Sequence, residues 1–274
     1  MAAPARWEGV ALGARVSIEI NGPRAMTEPA LKAARATLRS VEQRFSLYEP
    51  TSDLSLLNRQ GALRRPNKAM LDLMRQVGEV YQVTEGLFDP TVQVIWEALR
   101  RGEKASLARD RVGWDRVRYD REQVRLGPGQ ALTFNGIAQG YATDLVTTLL
   151  KARGFGDLYV NIGEQAAQGR PRRLGIIDPV QGLLGSITLR DAAIATSSPA
   201  ATPIGRSGHI LSPFGADPLW STVTVRAPLA AQADGLSTAL CLADWQTVRR
   251  VHSQLPDVGI ICADAAGDIR SLGI

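Results

Sequence analysis

At 274 residues, with 45% hydrophobic and 22% charged side chains, the chain is long enough for one large domain or two small ones with a proper core, and its composition is globular. Thirty-two Lys and Arg against 27 Asp and Glu leave a formal charge of +5, an excess that suits anionic ligands without requiring nucleic acid. No apolar run approaches the roughly 20 residues needed to cross a bilayer, and "MAAPARWEGV" lacks the apolar stretch of a secretory signal. The expected compartment is therefore cytoplasmic for the chain as it stands, or periplasmic if an export signal has been removed.

In chain order, "GVALGARVSIEI" (9–20) alternates like a strand, "NGP" marks a turn, and "EPALKAARATLRSVEQRF" (28–45) carries apolar residues at helical spacing. A polar loop with short helical turns spans 46–61, and a helix follows through 68–84. After "GLFDPTVQVIWEALRRG" (86–102) come two short strands, "RVRYD" and "QVRLG". The stretch "LTFNGIAQGYATDLVTTLL" (132–150) then reads as a strand that breaks at Asn135-Gly136 and winds into a helix running to about Gly154. Strands dominate beyond it, at "DLYVNIG", "RRLGIID", "GSITLRD", "AIATSS", "HILS" and "STVTVRA". Helices near 230–241 and 244–254 precede the final strands "VGIICADA" and "IRSLGI". Helices and strands mix without a regular βαβ rhythm, which predicts an α+β fold, and no low-complexity linker divides the chain, which predicts a single domain over 1–274.

The turn at 135–140 carries two glycines but neither G-x-x-x-x-G-K-[ST] nor G-x-G-x-x-G, so neither standard nucleotide loop applies. Gly136 and Gly140 can let a strand pack tightly against a helix, or open the turn so that backbone groups meet a ligand. A divalent cation would supply the missing charge. On a helix Asp234 and Thr238 of "AAQADGLSTAL" stand four residues apart on one face, and a carboxylate with a hydroxyl is the hard-oxygen pair that Mg²⁺ prefers. Asp234 as a helix cap is the alternative.

His209, in "RSGHILSPFG", is either a structural donor or a general base, since imidazole titrates near neutrality. His252, in a charged helical stretch, is assigned to the surface. Cys241 and Cys262, the only cysteines, are expected as core thiols; no CxxC or HExxH spacing suggests zinc. The Arg64-Arg65, Arg100-Arg101 and Arg249-Arg250 pairs read as solvated.

Seven stretches, "FSLYEPTSDLSLLN", "TEGLFDPTV", "NGIAQGYATD", "VNIGE", "AIATSS", "GHILSP" and "ADGLSTAL", occur in the order and near the spacing of the ApbE-like FAD:protein FMN transferases. The chain resembles that family from about Leu12 to Leu240. The resemblance implies an α+β fold of largely antiparallel sheets with packed helices, ApbE-like and T-fold-related. It further implies Mg²⁺ held by the Ala138 carbonyl, Asp234 and Thr238. Contacts to FAD would come from Leu12, Tyr48, Leu87, Phe88, Asp89, Asn135, Tyr141 and Ile210, and His209 matches the base. Three positions depart from the family pattern: Gln139 where a lysine is common, Glu164 where a second glycine follows Gly163, and Ser212 where an aspartate follows His209-Ile210-Leu211.

The activity so implied is Mg²⁺-dependent transfer of the FMN moiety of FAD to a threonine hydroxyl of an acceptor flavoprotein subunit, with release of AMP. Acceptors of the family belong to membrane-associated electron-transfer complexes. Hydrolysis of FAD to FMN and AMP, or FAD binding without turnover, are the alternatives that the sequence leaves open.

Overall fold

The computed structural model describes residues 4–204 and 207–274, so the first three residues and Arg206 of "RSGHILSPFG" lie outside the described residues. The chain opens with a hairpin, β1 (Ala5–Ala11) against β2 (Ala14–Ile20), rather than the one strand expected over 9–20. Its turn is Leu12-Gly13, with φ of 51° and 75°. Two consecutive left-handed residues form the primed hairpin turn that matches strand twist. Gly13 adopts such a φ freely, whereas Leu12 adopts it against its own side-chain sterics, which is why strand propensity runs straight through it.

Helix α1 (Arg24–Phe45) begins before the expected residue 28, and α2 (Asp53–Gln60) occupies the polar loop, with the Ser52 hydroxyl accepting the Ser55 N–H at 3.0 Å as its cap. Strand β3 (Ala62–Arg64) leads to α3 (Lys68–Val83), whose buried Met70, Leu73, Met74, Val77 and Val80 follow helical spacing. Next come α4 (Gln93–Arg100) and the short strands β4 (Arg118–Tyr119) and β5 (Gln123–Arg125), which join β3 in a small sheet ordered β3-β5-β4.

The segment leading to the turn is not a strand. Leu132 and Phe134 are fully buried, but the pairing groups of Leu132 are taken by one side chain: Asn58 Nδ2 donates to the Leu132 carbonyl at 2.8 Å, and Asn58 Oδ1 accepts its N–H at 2.7 Å. Thr133 N–H goes to the Pro90 carbonyl at 2.9 Å. Extended backbone with satisfied polar groups has the sequence pattern of a strand without lying in a sheet.

Helix α5 (Ala138–Ala152) follows, then β6 (Leu158–Ile162), β7 (Glu164–Gln168), β8 (Arg172–Asp178), β9 (Gly182–Leu189) and β10 (Ala192–Ser197). Two-residue strands β11 (Pro203–Ile204) and β12 (Ser207–Gly208) precede β13 (Thr222–Ala227), α6 (Ala230–Leu240), α7 (Trp245–Gln254), β14 (Gly259–Ala263) and β15 (Ile269–Leu272). The expected strand at 209–212 is absent, because Pro213 lacks an N–H and the Ser212 hydroxyl accepts those of Phe214 and Gly215 (3.2 and 3.1 Å) in a tight turn.

One eight-stranded sheet, ordered β1-β2-β6-β7-β10-β13-β14-β15, organises these elements, and every neighbouring pair is antiparallel. Alternation along each strand sends side chains to two faces. One face, with Ile18, Val160, Val225 and Ile260, packs against α1, α5 and α6 residues such as Leu38, Val146 and Leu236. Ile194 and Ile261, on the other face, are covered by Ile176, Ile187 and Leu189 of the β8–β9 hairpin. The α+β expectation, with largely antiparallel sheets, is met. Cys241 and Cys262 are both buried, and burial pushes both thiols up, that of Cys262 to about 12. His252 is half-buried rather than on the surface, its Nδ1 2.9 Å from the Val258 carbonyl oxygen.

The β8–β9 hairpin is tied to the main sheet by Asp178, which is 1% exposed. Asp178 Oδ1 accepts the N–H groups of Val180 and Gln181 (2.7 and 2.8 Å), and Oδ2 accepts the hydroxyls of Ser221 and of Thr222 (2.6 Å for the latter). Burial works to raise this carboxyl, but the Ser221, Thr222 and backbone hydrogen bonds outweigh it and bring it down to about 2. A folded-state value below the ordinary carboxylate value of about 4 means that the ionised group stabilises the fold at neutral pH. That contribution fades as pH falls from about 4 to about 2. Asp178→Ala is expected to lose about 2–3 kcal/mol in urea denaturation at pH 7, with the gap to wild type narrowing as the same titration is repeated at successively lower pH.

Candidate active site

The first two turns of α5 and the start and body of α6 meet in a reciprocal clasp. Gly140 N–H donates to Asp234 Oδ2 at 3.0 Å, and in the opposite sense Asp144, one turn further along α5, accepts the N–H groups of Ala230 and Ala231 at 2.8 and 2.9 Å. The cap of α6 is thus Asp144, supplied from another helix. Asp234 sits in the helix body and leaves the capping alternative empty. Gly140 is required by this approach, since a Cβ there would lie 2.4 Å from the Ala230 carbonyl oxygen. Gly136 approaches the same helix: a Cβ would lie 3.0 Å from Thr238 Oγ1 and 3.3 Å from the Phe88 ring. The tight-packing reading of the glycines holds, and that packing brings the turn to Asp234 and Thr238.

Gly136, Asp234 and Thr238 form part of the wall of a cavity of about 550 Å³. Leu87, Phe88, Asp89, Asn135, His209, Ile210, Asp234 and Thr238, all expected at the site, line it. Ala138 stands at the first position of α5, beside the lining residue Gln139. Leu12 is one step away, its carbonyl accepting Gln139 Nε2 at 3.1 Å while its N–H goes to Glu42 Oε1 at 3.1 Å. Tyr48 is 75% exposed and borders an adjoining cleft that shares Gln93 and Trp96 with the cavity. Tyr141 does not line the cavity: it is 3% exposed, packs edge-on against Phe45 with centroids 6.0 Å apart, and burial pushes its hydroxyl up to about 12.

Electrostatically the wall is one-sided. Its charged lining residues, among those described, are Asp89, Glu164 and Asp234, with no Lys or Arg. Asp89 is structural in its bonding, accepting the Thr91 N–H and hydroxyl (2.8 and 2.5 Å) and the Trp114 N–H (3.0 Å). Burial pushes Asp234 up, against the Gly140 hydrogen bond and with the charge of Asp144 adding to the rise. Asp144 is itself pushed by burial up to about 6, against its two backbone donors. Thr238 completes a hydroxyl row, with Ser197 Oγ 3.3 Å from Thr238 Oγ1 and 2.8 Å from Ser237 Oγ.

Among the described residues no three His, Cys, Asp or Glu side chains gather as a metal cluster. A cation here would be held by mixed oxygen donors, and the wall suits one: Asp234 is a buried carboxylate facing a cavity whose described charged lining is wholly acidic. Sequence reasoning passed over Asp144 and Ser197. Asp144 was readable as the residue four beyond Gly140 on one helical face, whereas nothing in "AIATSS" marks which hydroxyl meets α6.

The fold has counterparts among known proteins. The chain belongs to the ApbE family, whose model matches residues 12–262. A FAD:protein FMN transferase of Haemophilus influenzae is 25% identical, the match covering 79% of this chain and 73% of that protein. Among solved structures, the apo flavinyl transferase ApbE of Pseudomonas stutzeri superposes with a TM-score of 0.83 at 24% identity, covering 98% of this chain and 94% of that one. The ApbE protein of Thermotoga maritima gives 0.85 at 22%, covering 97% and 96%, and the flavin transferase ApbE of Vibrio cholerae gives 0.82 at 20%, covering 98% and 97%.

Because the clasp leaves no space for a methyl, Gly140→Ala is expected to cost about 1–3 kcal/mol by overpacking, and Asp144→Asn about 1 kcal/mol as one capping acceptor is lost. Denaturant unfolding of both variants and of the double variant checks this; the two effects should be markedly non-additive, since both act on one helix contact.

Proposed function

We propose that the chain transfers the FMN moiety of FAD to a hydroxyl of an acceptor protein, releasing AMP, and that a divalent cation, Mg²⁺, is required. The observation that carries this reading is the clasp, which puts Asp234 and Thr238 in one cavity wall with the Gly136–Gly140 turn. The name of the Haemophilus influenzae relative and the family support the reaction class.

A dinucleotide pyrophosphate is anionic, and the described charged groups of the wall are acidic, so ligand and wall would repel without a counter-charge. Asp234, Thr238 and the Ala138 carbonyl are the groups that would hold the cation. When bound, it would offset charge on the phosphate oxygens, the electrostatic help on which phosphoryl transfer relies.

The residues of the chain have their own tasks. Leu87, Phe88 and Ile210 supply apolar surface for the ring systems, and Asn135, exposed at the turn, offers an amide at the rim. His209 is exposed and lines the cavity, within the reach of an entering hydroxyl. In the reaction a threonine hydroxyl oxygen of the acceptor bonds to the flavin-side phosphorus, the bond from that phosphorus to the bridging oxygen breaks, and AMP leaves with that oxygen. His209 accepts the hydroxyl proton, a role typically worth about 10²- to 10⁴-fold. The acceptor fitting this chemistry is a flavoprotein subunit of an electron-transfer complex. No described helix is long and apolar enough to cross a membrane.

The test is to incubate the protein with FAD, Mg²⁺ and a candidate flavoprotein subunit, measuring AMP and covalent flavin fluorescence on the acceptor. AMP together with label is expected; AMP without label would mean hydrolysis, and neither would mean binding alone. Asp234→Ala should abolish Mg²⁺-dependent AMP release, and full release by that variant refutes the assignment. His209→Ala should retain FAD binding while losing about 10²-fold or more in rate.

A further inference from the structure

The first residue of β7 is a second buried acid in the same wall. Glu164 is 8% exposed and lines the cavity with Asp234. It follows Gly163, whose left-handed φ of 93° makes the tight turn from β6, and its own carbonyl accepts the Thr143 hydroxyl at 3.2 Å. Thr143 belongs to α5, between the Gly140 and Asp144 that clasp α6, so one helix fixes both acids relative to each other.

No basic side chain compensates this second charge among the described lining residues. Gln139, beside Gly163, is a neutral amide committed to the Leu12 carbonyl, and its side chain is so close that a Cβ on Gly163 would meet it at 2.8 Å. Two buried acids that line one cavity, with no basic group among its described lining residues, call for a counter-charge, which a cation supplies.

Resting on the cation site of the proposed function, we propose that Glu164 is a further anionic ligand for the divalent cation, so that this protein loads its cation before the dinucleotide arrives and without its help. A site of one carboxylate, one hydroxyl and one carbonyl holds Mg²⁺ weakly until substrate phosphates complete the shell. A second carboxylate raises the affinity of the empty protein and offsets both charges of the ion. The net charge left to attract pyrophosphate is correspondingly lower, which makes dinucleotide binding lean on the apolar part of the cavity.

The experiment uses Mn²⁺ as the titrant, without FAD, following free Mn²⁺ by electron paramagnetic resonance in wild type, Glu164→Gln and Asp234→Asn. Wild type is expected to bind, with Glu164→Gln weaker by about tenfold or more, the scale on which ligand charge count tunes such sites. In chelator, Glu164→Gln should melt no lower than wild type, because the amide replaces a carboxyl buried without a basic partner among the described lining residues. If that variant fails to fold, Glu164→Gly, which deletes the side chain, takes its place. Unchanged Mn²⁺ affinity in the Glu164 variant overturns the proposal, as does a wild-type protein that takes up no Mn²⁺ until FAD is added. Loss of Mn²⁺ in Asp234→Asn with full retention in Glu164→Gln removes Glu164 alone and leaves the cation site of the proposed function standing. Retention in Asp234→Asn removes both.

Discussion

The site depends on a close approach of two helices, α5 and α6, made possible by the missing side chain at Gly140 and fixed by an exchange of hydrogen bonds in both directions. Each helix contributes a carboxylate and receives one from its neighbour. The N-terminus of α6 gains an acceptor that also complements its dipole, and Asp234 is oriented by an N–H from the first turn of α5. Residues 94 positions apart in the chain are thereby held within one hydrogen bond. The hydroxyls of Ser197 and Thr238 extend the arrangement to the end of β10, so helix, helix and sheet converge on one wall.

Charge distribution follows from that convergence. A chain with a formal excess of positive charge presents a cavity whose described charged residues are all acidic. Net charge therefore describes the surface, where arginines are spent on other work: Arg100 stacks over Trp96 at 4.8 Å, Arg250 pairs with Glu85, and Arg172 reaches Glu19 at 3.0 Å. The acidic wall is local and results from where strands and helices end, which no composition measure registers.

Much of the architecture was legible because its signals are local. The period of α3, with Asn67 accepting the Met70 N–H at its start, and the course of α5 and α7 can be read directly. What escaped was set by contacts across the chain. Leu12 takes a left-handed turn that its type disfavours; Leu132 is extended but borrows a side chain as its partner; Asp144 caps a helix far along the sequence. The same divide runs through the site. Asp234, Thr238, His209 and the Leu87–Asp89 run fall together in the cavity wall, whereas Tyr141 faces the core and Tyr48 the neighbouring cleft. Quoted motifs name residues in a neighbourhood; which of them face inward is decided by packing.

The amide of Asn58 has a mechanical consequence. It stands where a neighbouring strand would be, so the run into Asn135-Gly136 is moored to α2 and to Pro90 instead of to the large sheet. Helix α2 is in turn joined through the Ser52 and Ser55 hydroxyls to the Ser46 carbonyl, two residues before Tyr48. The exposed loop around Tyr48 and the turn beside Thr238 are consequently joined by one series of hydrogen bonds that runs through α2 and bypasses the eight-stranded sheet.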